Sequence, residues 1–175
     1  IQKKIIKTLV KASKHYDGIQ IDFETIPKND LKNFRNFLKK LKSKLPNDII
    51  FSVCVPARIK TLNNDIFDYS EIAKIADKVI IMAYDQHWST SKPGPIAGMD
   101  WCNQILQYAK TIIPQEKLIM GLPFYGRSWQ DESFGKAWIN TRVNKIISEN
   151  NIKEINRQDG VPYCKFKKEI QSCRR

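Results

Sequence analysis

The sequence contains no run of eighteen apolar residues, so it offers no candidate membrane-spanning helix. It has no CxxC pair; Cys54, Cys102, Cys164 and Cys173 are widely spaced, which argues against zinc. It has no GxGxxG and no GxxxxGK followed by Ser or Thr, so a nucleotide loop has no support. No metal and no cofactor are expected. There is no initiator methionine and no charged–apolar–small signal pattern at Ile1, and the chain reads as the interior of something longer. Acidic residues are scarce relative to basic ones. The net charge of +12 invites a nucleic-acid or anionic-surface reading. The lysines, however, fall at helical spacing, Lys3 to Lys14 in one segment and Lys32 to Lys44 in another, and read as solvated helix faces. No nucleic-acid signature accompanies them.

A chain of 175 residues can bury a sizeable core and fits one domain, 1–175. Its central stretch is Tyr16–Glu24, YDGIQIDFE. An Asp-Gly turn opens a run that alternates Ile19, Ile21 and Phe23 with Gln20, Asp22 and Glu24. Strand side chains alternate faces, so the three polar groups share one side. Two carboxylates at that spacing stand roughly 6–7 Å apart and disfavour each other's charge. A carboxyl group that keeps its proton near neutrality can serve as a general acid. Taken alone, the pattern fits a half-exposed antiparallel strand equally well.

Around this stretch the chain alternates helix and strand. Ile1–His15 places Ile5, Ile6, Leu9 and Val10 at helical spacing. Asp30 is a candidate N-cap for a helix that buries Leu31, Phe34, Phe37, Leu38, Leu41 and Leu45 and stops at Pro46. Ile49–Val55 reads as a buried strand with Cys54 as a small hydrophobe. A short helix over Tyr69–Asp77 precedes a strand over Lys78–Asp85. A polar loop, Gln86–Gly98, leads to a helix around Trp101–Ile113, and Lys117–Tyr125 is the next strand. Thr141–Asn150 reads as a helix and Gly160–Phe166 as strand-like. His15 and His87 carry no motif and are expected at the surface. Cys164 and Cys173 are a candidate pair if the compartment is oxidising.

Strands that are apolar on both faces and separated by helices indicate an α/β fold with a parallel sheet. Polar residues gather at the C-terminal strand ends: Asp22 and Glu24, then Tyr84 and Asp85, then Tyr125. That end is the catalytic face of a TIM barrel and the ligand crevice of an open doubly wound sheet. Four strands are half of a barrel of about 250 residues, so either the sheet is open or the barrel is incomplete.

Asp17–Glu24 resembles the fourth-strand signature of the family 18 glycoside hydrolases, the chitinase family: Asp-Gly, then alternating acidic positions ending in the catalytic Glu. Met82-Ala83-Tyr84-Asp85 is similar to that family's Met-x-Tyr-Asp motif on the sixth strand. Gly121–Gly126, GLPFYG, with Trp129, resembles its seventh-strand segment. The loop Tyr84–Ala97 looks closest to bacterial members related to spore-germination and cell-wall N-acetylglucosaminidases. The resemblance covers about residues 16–129 and implies a partial (β/α)8 TIM barrel, strands four to seven, with an insertion before strand eight beginning over 130–175.

It also implies a mechanism in which the substrate's own N-acetyl group is the nucleophile. Glu24 is then the general acid, Asp22 orients the acetamido group and shares a proton with Glu24, and Tyr84 hydrogen-bonds the acetamido oxygen. Gln20, Met82, Asp85, Tyr125 and Trp88 are the implied substrate-binding residues. The implied partner is a polysaccharide containing N-acetylglucosamine, in an extracellular or cell-envelope setting. Gln20 departs from the family by replacing the first Asp of its acidic triad, and Phe23 replaces a frequent Trp. No Ser-x-Gly-Gly strand and no eighth strand with its Trp are found. Two other readings stay open: a catalytically inactive sugar-binding relative, and a basic module that binds wall or another polyanion without catalysis.

Overall fold

The computed structural model describes residues 1–130 and 134–166. These form two compact units: Ile1–Ala83 with Asn103–Gly121, and Tyr84–Cys102 with the described residues from Leu122 onward.

The first unit is an α/β layer built on a four-stranded parallel sheet of β1 (Gly18–Ile21), β2 (Ile50–Pro56), β3 (Lys78–Met82) and β4 (Leu118–Gly121), in that order. Consecutive parallel strands need a crossover, and helices supply it. α1 (Gln2–Ser13) precedes β1, α2 (Leu31–Lys42) links β1 to β2, and α3 (Tyr69–Ala73) lies between β2 and β3. The register runs Gly18 with Ile50, Ser52 with Lys78 and Val79 with Leu118. A Cβ on Gly18 would meet the Ile50 carbonyl oxygen at 2.7 Å, so the Asp-Gly turn lets β1 approach β2.

The two sheet faces differ. Phe51, Val53, Val55, Val79 and Ile81 are fully buried beneath the helices, which contribute Leu38, Leu41, Ile72 and Ile105. Ile50, Ser52, Pro56, Ile80, Met82 and Ile119 on the alternate positions are less covered. The expectation of strands equally apolar on both faces therefore holds only in part. One face is dry core, and the other carries the polar side chains.

Several boundaries differ from those expected. β1 leaves the sheet at Ile21, not Glu24, while β2 continues to Pro56 beside β3. Alternation outlasts pairing: the Phe23 ring stacks on Phe37 at 5.8 Å and approaches Phe34 at 6.1 Å, so the extended chain keeps its facing without ladder bonds. Asp30 occupies the N-cap position of α2, but its side chain accepts from Asn33 Nδ2 and from no backbone amide. α2 ends at Lys42, and a closing turn follows in which the Leu45 N–H reaches back to the Leu41 and Lys42 carbonyls before Pro46. α3 stops at Ala73, with Asp68 capping it by accepting the Glu71 N–H. β3 stops at Met82 because the Ala83 N–H folds back on the Ile81 carbonyl, a tight turn that ends the ladder. β4 stops at Gly121: Pro123 has no N–H to donate.

At Leu122 the chain enters the second unit, where β5 (Tyr125–Ser128) pairs antiparallel with β6 (Lys136–Ile139). Tyr125 thus opens an antiparallel hairpin and does not end a parallel strand. α5 (Asn140–Glu149) follows, then β7 (Asn156–Gln158) and β8 (Val161–Tyr163). The Asp159-Gly160 turn joining them has both φ angles positive, 48° and 76°, as a two-residue hairpin of primed type requires. Asp159 then caps the first turn of α4 (Met99–Lys110): its carbonyl accepts from Met99 N–H and its Oδ1 from Asp100 N–H. Cys173 lies outside the described residues.

Asp77 holds the N-terminal edge of the first unit together. Its carboxylate accepts from Phe51 N–H at 2.8 Å and from Lys42 Nζ at 2.5 Å, joining the end of α2 to the start of β2. Burial pushes the Asp77 carboxyl up. The hydrogen bonds from Lys42 and Phe51 and the charges of Lys42 and Lys117 outweigh it, leaving a net shift below the ordinary range. A depressed carboxylate adds stability above its unfolded value of about 4, and that stability is lost as pH falls through the lower folded value. Asp77→Asn is therefore expected to lower the urea midpoint near neutrality and to flatten its decline below about pH 5. Parallel pH profiles for both proteins would contradict this linkage.

Candidate active site

In the first unit, the site residues gather where β1 and β2 expose their less-covered face. Gln20 pairs in register with Ser52, whose Oγ lies 3.5 Å from Gln20 Oε1. Asp22 continues the same side beyond the end of β1, beside Cys54. Asp22 and Glu24 are both exposed, while Phe23 between them is held on the helix side by Phe34 and Phe37. Met82 ends β3 on this same face, half-buried and in register with Pro56 and Gly121.

Cys54 is more than the small hydrophobe expected from its strand. Burial pushes its thiol up to about 11, and the Asp22 charge, a hydrogen bond to Asp22 and the Glu24 charge act in the same direction. The S–H therefore stays protonated and faces the Asp22 carboxylate as a donor. Sequence alternation alone could have placed Cys54 on that row, because it follows Ser52 by two residues on the adjacent strand.

In the second unit, Tyr84 is half-buried directly after Ala83, and Asp85 adopts φ 54°, a left-handed conformation uncommon outside glycine. Such backbone is tolerated where surrounding bonds fix it. Asp85 Oδ1 accepts from Tyr125 Oη at 2.5 Å and from Arg127 Nη2 at 2.9 Å. Arg127 is 10% exposed and Asp85 43%, so a buried cation anchors a carboxylate that still reaches solvent. Burial raises the Tyr125 hydroxyl, and its hydrogen bond to Asp85 and the charge there add to this, with Arg127 opposing. Tyr125 is consequently a standing donor. Arg127 was missed in the sequence; its signal was a cation two residues after Tyr125, on the same face of a strand.

Trp88 is 51% exposed, with its indole N–H donated to Thr90 Oγ1 at 2.8 Å. His87 is half-buried, contrary to expectation: its Nδ1 pairs with the Pro95 carbonyl oxygen at 2.8 Å and its ring packs over Gly94. Among the described residues, no three His, Cys, Asp or Glu side chains group as metal ligands, and no helix is long and apolar enough to cross a membrane.

Residues 2–172 match the family model described as Glycosyl hydrolases family 18. The chain belongs to glycosyl hydrolase family 18. It is 37% identical over 127 residues to the uncharacterized glycosylase YvbX of Bacillus subtilis, covering 70% of this chain and 37% of that protein. It is 32% identical over 136 residues to the cortical fragment-lytic enzyme of Bacillus anthracis, covering 74% and 32%. The crystal structure of the Bacillus cereus spore cortex-lytic enzyme SleL matches with a TM-score of 0.79 at 26% identity, over 90% of this chain and 38% of that one. A chitinase from Chromobacterium violaceum matches at 0.81 and 28% identity, over 91% and 52%. The chain thus spans about a third of the length of these curated family 18 relatives.

The state of Cys54 is directly measurable. With its thiol near 11, about one part in a thousand is thiolate at about pH 8. Iodoacetamide is expected to leave Cys54 unmodified in the native protein and to label it once urea unfolds the chain, as read by peptide mass spectrometry. Equal labelling of both forms would contradict the burial and charge argument.

Proposed function

We propose that the full-length protein is a glycosidase that cleaves β-1,4-linked N-acetylglucosamine-containing glycan, of chitin or peptidoglycan type, by substrate-assisted retaining catalysis. One observation carries the reading: Asp22 and Glu24 leave the C-terminal end of β1 on one exposed side, while Phe23 is pinned to the other. A carboxyl pair in an accessible position at a strand's C-terminal end can reach a sugar chain. Family membership and the glycosylase and lytic-enzyme names of the relatives support the same class. In this reading β1 to β4 are strands four to seven of an eight-stranded barrel, and residues 130–175 begin an insertion before the eighth.

Glu24 donates a proton to the glycosidic oxygen as the bond breaks. The acetamido oxygen of the sugar on the non-reducing side attacks its own anomeric carbon, giving an oxazolinium that water then opens with Glu24 as base. Asp22 orients the acetamido N–H and balances the developing positive charge. The Cys54 thiol supplies the donor at its side. Gln20 in place of a carboxylate puts no second negative charge behind Asp22, so the proton exchange runs between Asp22 and Glu24 alone. Tyr84 donates to the acetamido oxygen. Asp85, fixed by Arg127 and Tyr125, binds sugar hydroxyls, Met82 lines the pocket floor, and Trp88 and Tyr125 offer ring surface to sugars. The setting is extracellular or the cell envelope, where such polymers occur.

Release of a chromogenic leaving group from a β-linked N-acetylglucosamine oligomer tests the assignment. Glu24→Gln in the full-length protein is expected to lower turnover roughly 10²–10⁴-fold with sugar binding retained. Wild-type binding without turnover on both chitin-type and peptidoglycan-type oligomers would instead identify a carbohydrate-binding protein that has lost catalysis.

A further inference from the structure

The two helices that cover the dry face of the first unit's sheet carry no acidic residue: α1 reads QKKIIKTLVKAS and α2 reads LKNFRNFLKKLK. They pack against one another. Lys3, Lys7 and Lys11 recur one turn apart along α1, and on α2 Lys32 lies about two turns before the adjacent Lys39 and Lys40. All six are exposed, and among the described residues none has a carboxylate within ion-pair distance. Lys42, at the end of α2, pairs with Asp77; off these helices Lys74 pairs with Glu71 and Lys145 with Glu149. With nine basic and no acidic residues, the two helices carry +9 of the chain's net +12.

A twelve-residue helix is about 18 Å long, and packed helices lie about 8–10 Å apart. Charges spread over such an area exceed what one small anion can bridge, so the surface suits a polyvalent, extended ligand. Nucleic acid is the obvious polyanion, but single-strand readers offer aromatic platforms among their lysines. α1 has no aromatic residue, and both aromatics of α2, Phe34 and Phe37, are buried. The lysines lie on the helix side of the sheet, whereas Asp22 faces the opposite side with Cys54. A polymer held on the helices leaves the carboxylates clear.

We propose that the α1–α2 face is a docking surface for a carboxylate-bearing wall glycan, the anionic form of the substrate class assigned above, on which this inference rests. It holds a polymer close by, raising the local concentration of cleavable bonds without taking part in the reaction.

The test compares the full-length protein with a variant carrying Lys3, Lys7, Lys11, Lys32, Lys39 and Lys40→Gln. Binding is measured to insoluble peptidoglycan, to the same material with its carboxylates converted to methylamides, to chitin and to duplex DNA. The wild type is expected to bind native peptidoglycan about tenfold more tightly than the amidated material, with affinity falling steeply between about 50 and about 300 mM salt. The variant should lose that preference and most of the salt slope, with unchanged circular dichroism and unchanged turnover of a short neutral oligomer. Equal binding by variant and wild type, no effect of amidation, or tighter binding to DNA than to peptidoglycan would each overturn the proposal. Carboxylate-dependent binding that persists with no turnover of any glycan would uphold the surface and refute the enzymatic assignment alone.

Discussion

The parallel register between β1 and β2 is the constraint on which the rest depends. A slip of one residue would turn Asp22 and Gln20 into the helix layer and bring Ile21 out, because side chains alternate strictly along a strand. Two contacts prevent it from opposite ends. The bare α-carbon of Gly18 sits against the Ile50 carbonyl, and the Phe23 ring is clasped by Phe34 and Phe37. Between them, Ile21 is buried while its polar neighbours are not. The carboxylates are placed by what the intervening apolar residues need.

The acidic residues divide by the partner each is given. Asp77 is spent on architecture, accepting an amide and an ammonium at the foot of the sheet. Asp85 is held by a buried guanidinium and a phenol, yet keeps an exposed edge. Asp22 receives a thiol, a weak donor, and stays open to solvent. A cationic partner gives a carboxylate a charge-assisted hydrogen bond, whereas a neutral thiol gives it a weaker one. That gradation separates the Asp that joins helix to sheet from the one left open at the strand end.

Much of this was legible in the sequence. The apolar runs of β2 and β3 and the wide stripe of α2 announced a helix-covered parallel sheet, and the alternation in YDGIQIDFE put Gln20, Asp22 and Glu24 on one side. Boundaries were harder, since a strand ends where its neighbour stops answering. Nothing inside Lys78–Asp85 announces that Ala83 turns back on Ile81. The Gly-Leu-Pro-Phe-Tyr run looked continuous, yet Pro123 divides it between two kinds of sheet. The hairpin at residues 156–163 had a signal, the Asp159-Gly160 pair, but its flanking strands are short and polar and gave no periodicity. Arg127 and Cys54 were hidden for another reason. Their significance lies in what stands opposite them, and a single chain shows spacing without showing partners.

The cap that Asp159 places on α4 has a bearing on how the chain is made. The amides it satisfies, at Met99 and Asp100, are translated long before it, so the start of that helix emerges from the ribosome with its donors unanswered. Helices of this length are marginal alone. The first turn of α4 therefore gains this cap only after the hairpin has been made, through a bond between residues 59 apart in sequence.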